Sequence, residues 1–210
     1  MDETFNNPVY SKQVIEFTTV ANEYCTLIEN CGNAETQDLI DKLHKILPLL
    51  YLKSSLLPVL ENDFEEFNEK YVTEMDYNRV RQLIEVKLGE YDRYEEVFDP
   101  LRDEHDQPAL TTISENIADI YQDIKDYILL FQVGTTEVMH EAVRELVQNY
   151  EEYWGQKLVN CLRALHHLKY TVHLTTDMIE NDTNCSDGSC STEGNWMFDN
   201  AKDSFEDDTI

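Results

Sequence analysis

The chain has 210 residues, of which 41% are hydrophobic and 28% charged, and its 43 Asp and Glu residues against 16 Lys and Arg residues give a net charge of −27. This length fits one domain, or one domain with an appendage. The charge argues against binding to nucleic acids or anionic membranes, because both are contacted through clustered Lys and Arg side chains. With only six Gly and five Pro residues, the chain also lacks the composition of Gly-rich phosphate loops or collagen-like repeats.

The N-terminal residues lack the basic start and apolar run of a signal peptide, and no apolar stretch reaches the about 20 residues that cross a bilayer. An odd number of cysteines without an export signal is typical of reduced thiols. The five cysteines are Cys25, Cys31, Cys161, Cys185 and Cys190. We therefore expect a cytoplasmic protein.

The apolar residues recur at helical spacing along most of the chain. Asn7 and Pro8 predict the start of a first helix, as an N-cap followed by proline at the first helical position, and Gly32 predicts its end. A second helix is predicted to start near Thr36. Pro48 removes an amide donor and clashes with the preceding turn, so we expect two short apolar helices joined by a bend there, buried on most sides.

Thr73 and Asp76 have the spacing of a capping box and predict a third helix that ends by Pro100. Residues 100–110 are the clearest interior loop. Thr112 and Glu115 predict the cap of the next helix, which has an apolar stripe of isoleucines on one side. The side opposite this stripe carries four carboxylates: Glu115, Asp119, Asp123 and Asp126.

Gly134 predicts the end of this helix, and a last long helix is predicted from Thr136 to about His173. Gly155 lies inside it and suggests a close approach between helices. Residues 181–210 hold eight acidic residues and one basic residue, and such a segment buries too little apolar surface to offset its ordering entropy. The sequence therefore predicts an all-α antiparallel bundle of five to seven helices over residues 1–180, followed by a disordered acidic tail over residues 181–210.

Four segments are distinctive: LPLLYLKSSLLP (47–58), EVKLGEYDRYEEVFDP (85–100), SENIADIYQDIKDYILLFQ (114–132) and EEYWGQKLVNCLRALHHL (151–168). They resemble a family of uncharacterised proteins from Bacteroides-type bacteria, catalogued as domain of unknown function number 5063, over about residues 8–172. The resemblance implies an all-helical bacterial cytosolic protein. It brings no catalytic residue, cofactor or partner.

The best metal candidate is the pair Glu137 and His140, because E-x-x-H places both side chains on adjacent turns of one helix. Ferritin-like di-iron bundles use two such motifs with two further Glu residues, whereas this sequence has one. The carboxylates of the preceding helix lie away from its apolar stripe, and a metal in a bundle core needs inward-facing ligands. A capping Glu and a partly exposed His explain the pair better, so we predict no metal site.

Three other groups of residues are weaker candidates. Hard oxygen donors crowd the 100–110 loop without the glycine of an EF-hand: Asp99, Asp103, Glu104, His105 and Asp106. His166 and His173 share a helix side while His167 points away, which favours surface histidines. Cys185 and Cys190 could form a disulfide if oxidised, but zinc would need two more ligands.

The sequence contains no catalytic motif and predicts no cofactor. It favours a non-catalytic helical interaction or regulatory protein whose acidic face or tail contacts another protein. Trp196, Met197 and Phe198 are the candidate partner-binding residues, because large apolar side chains among acids can anchor in a partner groove. The alternative is a metal-dependent enzyme or metal-storage bundle with carboxylate and histidine ligands.

Overall fold

A computed structural model describes residues 7–61, 69–96 and 109–172 of the chain. The chain divides into two compact units, Met1–Leu174 and Thr175–Ile210. The second unit lies outside the described residues, and so do the predicted tail and its predicted boundary at residue 180.

The described residues form six α-helices and one two-stranded antiparallel sheet, which confirms the all-α class and the predicted helix number. The helices are α1 (Lys12–Glu29), α2 (Thr36–Ser54), α3 (Glu74–Leu88), α4 (Ile113–Val133), α5 (Thr136–Asn149) and α6 (Gly155–Tyr170). The strands are β1 (Arg93–Glu96) and β2 (Ala109–Thr112), and they connect α3 to α4 as a small antiparallel pair.

Side-chain contacts establish that the helices run antiparallel. The ammonium of Lys53, near the end of α2, lies 2.7 Å from a carboxylate oxygen of Glu16, near the start of α1. The hydroxyl of Tyr24, late in α1, donates to the backbone oxygen of Ile117, early in α4, at 2.9 Å. These end-to-start pairings are those of an up-and-down bundle.

Helix α4 is the central element, because α1, α3, α5 and α6 all pack against it. Its isoleucine stripe is fully buried, and Asp126 on the other side is only 2% exposed. Asp119 and Asp123 are half-buried, while Glu115, near the start of the helix, is exposed. The inference that these carboxylates lie away from the interior is therefore wrong for Asp126, because it treated α4 as a helix with a single packed face.

Helix α2 continues through Pro48, so the predicted pair of short helices is wrong. Pro48 lies on the exposed side of α2, where its ring meets solvent. Leu47 and Leu50 on the other side are fully buried. Burying a leucine contributes about 1.5–3 kcal/mol. The burial of Leu47 and Leu50, which precede and follow Pro48 in the sequence, therefore offsets the roughly 3 kcal/mol that proline costs inside a helix.

Helix α3 begins where it was predicted and ends earlier. The hydroxyl of Thr73 accepts from the amide of Asp76, whose carboxylate accepts from the amide of Thr73, both at 3.2 Å, which completes the capping box. Gly89 follows Leu88 with a φ of +55°, a left-handed conformation that glycine adopts readily and that ends the helix. β1 therefore occupies residues that were predicted to be helical.

The predicted boundaries of the first and last helices need smaller corrections. Residues Pro8–Tyr10 form a separate 3₁₀ turn, and Ser11 caps the start of α1. At the other end of the chain, a π-helical turn at Tyr150–Trp154 joins α5 to α6 as one rod. A Cβ on Gly155 would collide with the backbone oxygen of Tyr150. The close approach at this glycine is therefore within the rod and not between helices.

Candidate functional site

A groove of about 510 Å³ lies between α1 and α2 on the surface of the bundle. It is lined by one face of each helix, because the contributing residues recur at intervals of three and four along both. The segment between the helices closes one end with Cys31 and Ala34. The helical lining residues are Glu23, Thr26, Leu27 and Asn30 from α1 and Lys42, Lys45, Ile46 and Leu49 from α2. Volumes of this order are typical of binding pockets.

The apolar lining continues along α2 beyond the groove. Leu49 is 42% exposed and Leu52 is 53% exposed, and Leu56 follows just after the helix ends with 50% of its surface exposed. These residues are spaced as one helical face, so α2 has a buried apolar side and a second, solvent-facing one. The expectation that this segment is buried on most sides is therefore wrong for this face.

The residues that line the groove carry a different balance of charge from the rest of the chain. Its lining contains Lys42 and Lys45 against a single acidic residue, Glu23, whereas acidic residues outnumber basic ones 43 to 16 in the whole sequence. Lys42 pairs with Asp38 one turn away, at 2.7 Å, and both side chains are about half exposed. Lys45 forms no direct ion pair with any residue that the structure describes, although the pKa of Asp41, one turn away, is lowered by a hydrogen bond with Lys169 and also by the charge of Lys45. The groove therefore favours an occupant with apolar and acidic groups.

A second candidate is the cluster of buried carboxylates on α4. Asp119 accepts from the hydroxyl of Tyr77 at 2.9 Å and from the ammonium of Lys157 at 2.7 Å. Asp126 accepts from the backbone amides of Tyr71 and Val72, each at 2.8 Å. These bonds tie α3, α6 and the segment before α3 to the central helix, which is a structural role.

The ammonium of Lys70 is placed between two carboxylates at the edge of this cluster. It lies 2.6 Å from Glu145 and 4.0 Å from Asp126. Burial raises the pKa of Asp126, while the two backbone amides that it accepts from lower it. The cavity beside these groups is about 10 Å³, which is room for about one water molecule. The space beside Lys70 is therefore too small to bind a substrate.

Among the carboxylates of this cluster, Asp123 has the largest shift in pKa. Its side chain accepts from the amide nitrogen of Asn149 at 2.9 Å. Burial raises its pKa to about 6, against the opposing effect of Lys70 and the Asn149 hydrogen bond. A small cavity of about 180 Å³ opens beside it. A carboxyl group that titrates near pH 6 makes this region sensitive to pH.

The predicted metal candidates Glu137 and His140 lie on the first turn and a half of α5, with Glu137 exposed and His140 half-buried. Within residues 7–61, 69–96 and 109–172, the structure brings together no group of three His, Cys, Asp or Glu side chains that could hold a metal ion. The carboxylates of α4 form ion pairs and hydrogen bonds with Lys and Tyr side chains.

His166 has a partner that the sequence analysis missed. Its Nδ1 lies 3.2 Å from Nε2 of His44, which is on α2. The ring of Tyr170 packs against both imidazoles, with centroid distances of 5.5 Å to His44 and 4.7 Å to His166. Only the antiparallel packing of α2 on α6 brings together two histidines 122 positions apart. His173, predicted to share a side with His166, lies outside the described residues.

The three described cysteines are free thiols buried in the core: Cys25, Cys31 and Cys161. Burial raises the pKa of Cys25 to about 12 and also raises that of Cys161. Buried thiols with raised pKa values are poor nucleophiles.

At the end of the predicted 100–110 loop, Ala109 and Leu110 instead begin β2. The remaining predicted candidates lie outside the described residues: Asp99, Asp103, Glu104, His105 and Asp106, the pair Cys185 and Cys190, and the apolar cluster Trp196, Met197 and Phe198. Among the helices of the described part, none combines the length and the apolar character needed to cross a bilayer.

The chain belongs to the family described as domain of unknown function (DUF5063), whose model matches residues 8–171. It is similar to the crystal structure of protein BF1032 from Bacteroides fragilis, with 41% sequence identity and a TM-score of 0.72. The match covers 80% of this chain and 99% of the other. The comparison with curated proteins finds no match. The predicted resemblance is thus confirmed.

Proposed function

We propose that this protein is a non-catalytic interaction module that binds an amphipathic, acidic helix of a partner protein in the groove between α1 and α2. The proposal rests on the properties of the groove. It combines an exposed apolar face, a volume suited to side chains, and lysines at its rim in a strongly acidic chain.

The apolar face supports a helical partner. Ile46, Leu49 and Leu52 present apolar surface at helical spacing along a groove between two antiparallel helices. A third helix laid into such a groove buries its own residues at positions i, i+3, i+4 and i+7. Exposed apolar surface flanked by polar residues is characteristic of interaction sites.

The charge pattern supports an acidic partner. Lys42 and Lys45 face the groove, while the charge of the whole chain repels anions at long range. Repulsion between exposed charges is screened beyond about 8 Å at physiological ionic strength. Once the partner is in contact, the nearby lysines therefore favour binding of acidic side chains. A basic partner is attracted to the acidic surface generally, whereas an acidic partner gains charge complementarity at the groove.

The test uses a designed peptide as the probe. An amphipathic helix with leucines at i, i+3, i+4 and i+7 and glutamates beside them is labelled with fluorescein and titrated with the protein at physiological salt. A second peptide carries lysine in place of each glutamate. We expect the acidic peptide to bind, and we expect Leu49→Asp to weaken its binding by at least about tenfold, the equivalent of about 1.4 kcal/mol.

Matched variants separate groove binding from general attraction. Met75 is 77% exposed near the start of α3, at the other end of that helix from Lys87, which contacts Ala34 of the groove. Met75→Asp therefore introduces the same charge away from the groove and should leave the affinity for the acidic peptide unchanged. Lys45→Gln should weaken binding of the acidic peptide. The affinity for the lysine peptide should change equally in Leu49→Asp and Met75→Asp. If the acidic peptide does not bind, or binds equally well to Leu49→Asp, the groove is not the partner site.

We further infer a cytoplasmic setting and a second contact in the acidic C-terminal residues. Cys25, Cys31 and Cys161 are buried free thiols, as is typical of a reducing compartment. Trp196, Met197 and Phe198 supply large apolar anchors among acidic residues, and we propose that they bind a basic or apolar surface of a partner. If removing residues 181–210 abolishes binding of a partner protein and Leu49→Asp does not, this contact is distinct from the groove.

A further inference from the structure

His44 and His166 form a cross-helix pair whose nitrogens face each other. Nε2 of His44 and Nδ1 of His166 are 3.2 Å apart, and the two rings are inclined by 36°. Zinc binds imidazole nitrogens at about 2.0–2.1 Å, so two nitrogens on one edge of a tetrahedral site are about 3.3 Å apart. The distance between the two ring nitrogens fits a hydrogen bond between the rings, and it is also the spacing of two imidazole ligands on one tetrahedral ion.

The surroundings hold both rings in place. Tyr170 packs against His44 and His166, and one turn away an ion pair between Lys169 and Asp41, at 3.0 Å, joins the same two helices. Because the rings are positioned before a metal arrives, little side-chain freedom is lost on binding. His166 is exposed and His44 is half-buried, so water can complete the coordination.

We propose that His44 and His166 form a two-imidazole site for a divalent transition-metal ion, such as Ni²⁺, Cu²⁺ or Zn²⁺, that clamps α2 to α6. Nitrogen donors favour these ions over Ca²⁺ and Mg²⁺, which take oxygen ligands. With two protein ligands the ion exchanges with solution and is not a resident cofactor. Its binding stabilises the folded chain, because the two ligands come together only when α2 and α6 are packed.

The test measures Ni²⁺ binding to the full chain after removal of any affinity tag, by isothermal titration and by the imidazole NMR signals. Ni²⁺ is chosen because it favours imidazole over carboxylate ligands. We expect one equivalent to bind, to shift the signals of His44 and His166, and to raise the melting temperature. His44→Ala and His166→Ala should each weaken binding by at least about tenfold, since even partners of metal ligands contribute 10–100-fold.

His167→Ala is the matched control, because His167 is exposed on the same helix and makes no contact with the pair. It should leave the affinity and the melting shift unchanged. His44→Gln provides a second variant if the alanine variant unfolds. The proposal is overturned if Ni²⁺ does not bind, or if it binds without shifting the two imidazole signals. It is also overturned if His167→Ala weakens Ni²⁺ binding as much as His44→Ala does.

Discussion

Replacing Asp123 by Asn is expected to stabilise the protein at pH 7, although it removes a partly buried carboxylate. Burial holds the folded-state pKa of Asp123 at about 6, above the ordinary value of 3.8 for an aspartate side chain. The folded state therefore binds more protons than the unfolded state between these two pH values, and the carboxyl group contributes more to stability as the pH falls through this range. At pH 7 the ionised group is a cost that the neutral amide avoids.

The size of the effect follows from the same shift. A pKa change from 3.8 to about 6 corresponds to an upper limit of about 3 kcal/mol at neutral pH. Asp123 is only partly buried, and solvent screening reduces the expected gain to about 1–2 kcal/mol. The charged neighbours act in both directions, since Lys70 lowers the pKa while Asp126 and Glu145 raise it. The amide oxygen of the variant can still accept from Asn149.

The measurement is urea unfolding of the wild type and the variant at several pH values between about 4 and 7. The gain from Asp123→Asn should be largest at pH 7 and should nearly vanish at about pH 4, where the wild-type carboxyl is protonated in the folded state and about half protonated in the unfolded state. Asp119→Asn is the control: it removes a charge that pairs with Lys157 at 2.7 Å and should destabilise at pH 7. A loss of stability for Asp123→Asn at pH 7, or a gain independent of pH, would refute the reasoning.

Three further outcomes are expected. Raising NaCl from 0.01 to 0.1 M shortens the Debye length from about 30 to about 10 Å and should raise the melting temperature of a chain at −27, whereas a fall would mean that attractive pairs dominate. In chemical denaturation, Gly155→Ala should lower the free energy of unfolding by about 1–3 kcal/mol, because the added methyl group overpacks against Tyr150. Gly32→Ala should leave the free energy of unfolding nearly unchanged, because its methyl group meets only Leu83, at 3.4 Å. Removing residues 181–210 should leave the melting temperature unchanged; a fall of more than about 4 °C would place them in the fold.

The helices were predictable because their signals are local. The capping residues Thr73 and Thr112 and the terminator Gly134 act within one turn of the chain, and each is found where it was predicted. The errors arose where tertiary packing overrides a local signal. Pro48 is accommodated because buried leucines lie on both sides of it, and no local pattern reports how much a neighbouring helix buries.

The candidate sites were less predictable for the same reason. The exposed leucines of α2 are indistinguishable in sequence from its buried ones until the partner helices are placed. His44 and His166 lie 122 positions apart, so their pairing depends on the antiparallel register of α2 and α6. The carboxylates of α4 were identified as one side of a helix, but their burial follows from the position of α4 at the centre of the bundle.

The lysines of the described residues differ in their partners, and the difference tests the assignment of the groove. Five of them hold a carboxylate on a different element: Lys53 with Glu16, Lys70 with Glu145, Lys125 with Glu29, Lys157 with Asp119 and Lys169 with Asp41. In an acidic bundle such cross-links also offset repulsion between helices. Lys45 makes no such contact with the described residues and faces the groove.

Lys45 is therefore dispensable for the fold if its role is to bind a partner. Lys45→Gln should leave the free energy of unfolding within about 0.5 kcal/mol of the wild type, as for most surface changes. Lys53→Met keeps the length of the side chain but removes a charge held 2.7 Å from Glu16, and it should lower the free energy of unfolding measurably more. Urea unfolding of the two variants at low salt makes the comparison. If Lys45→Gln destabilises as much as Lys53→Met, Lys45 serves the fold, and charge complementarity at the groove loses its support.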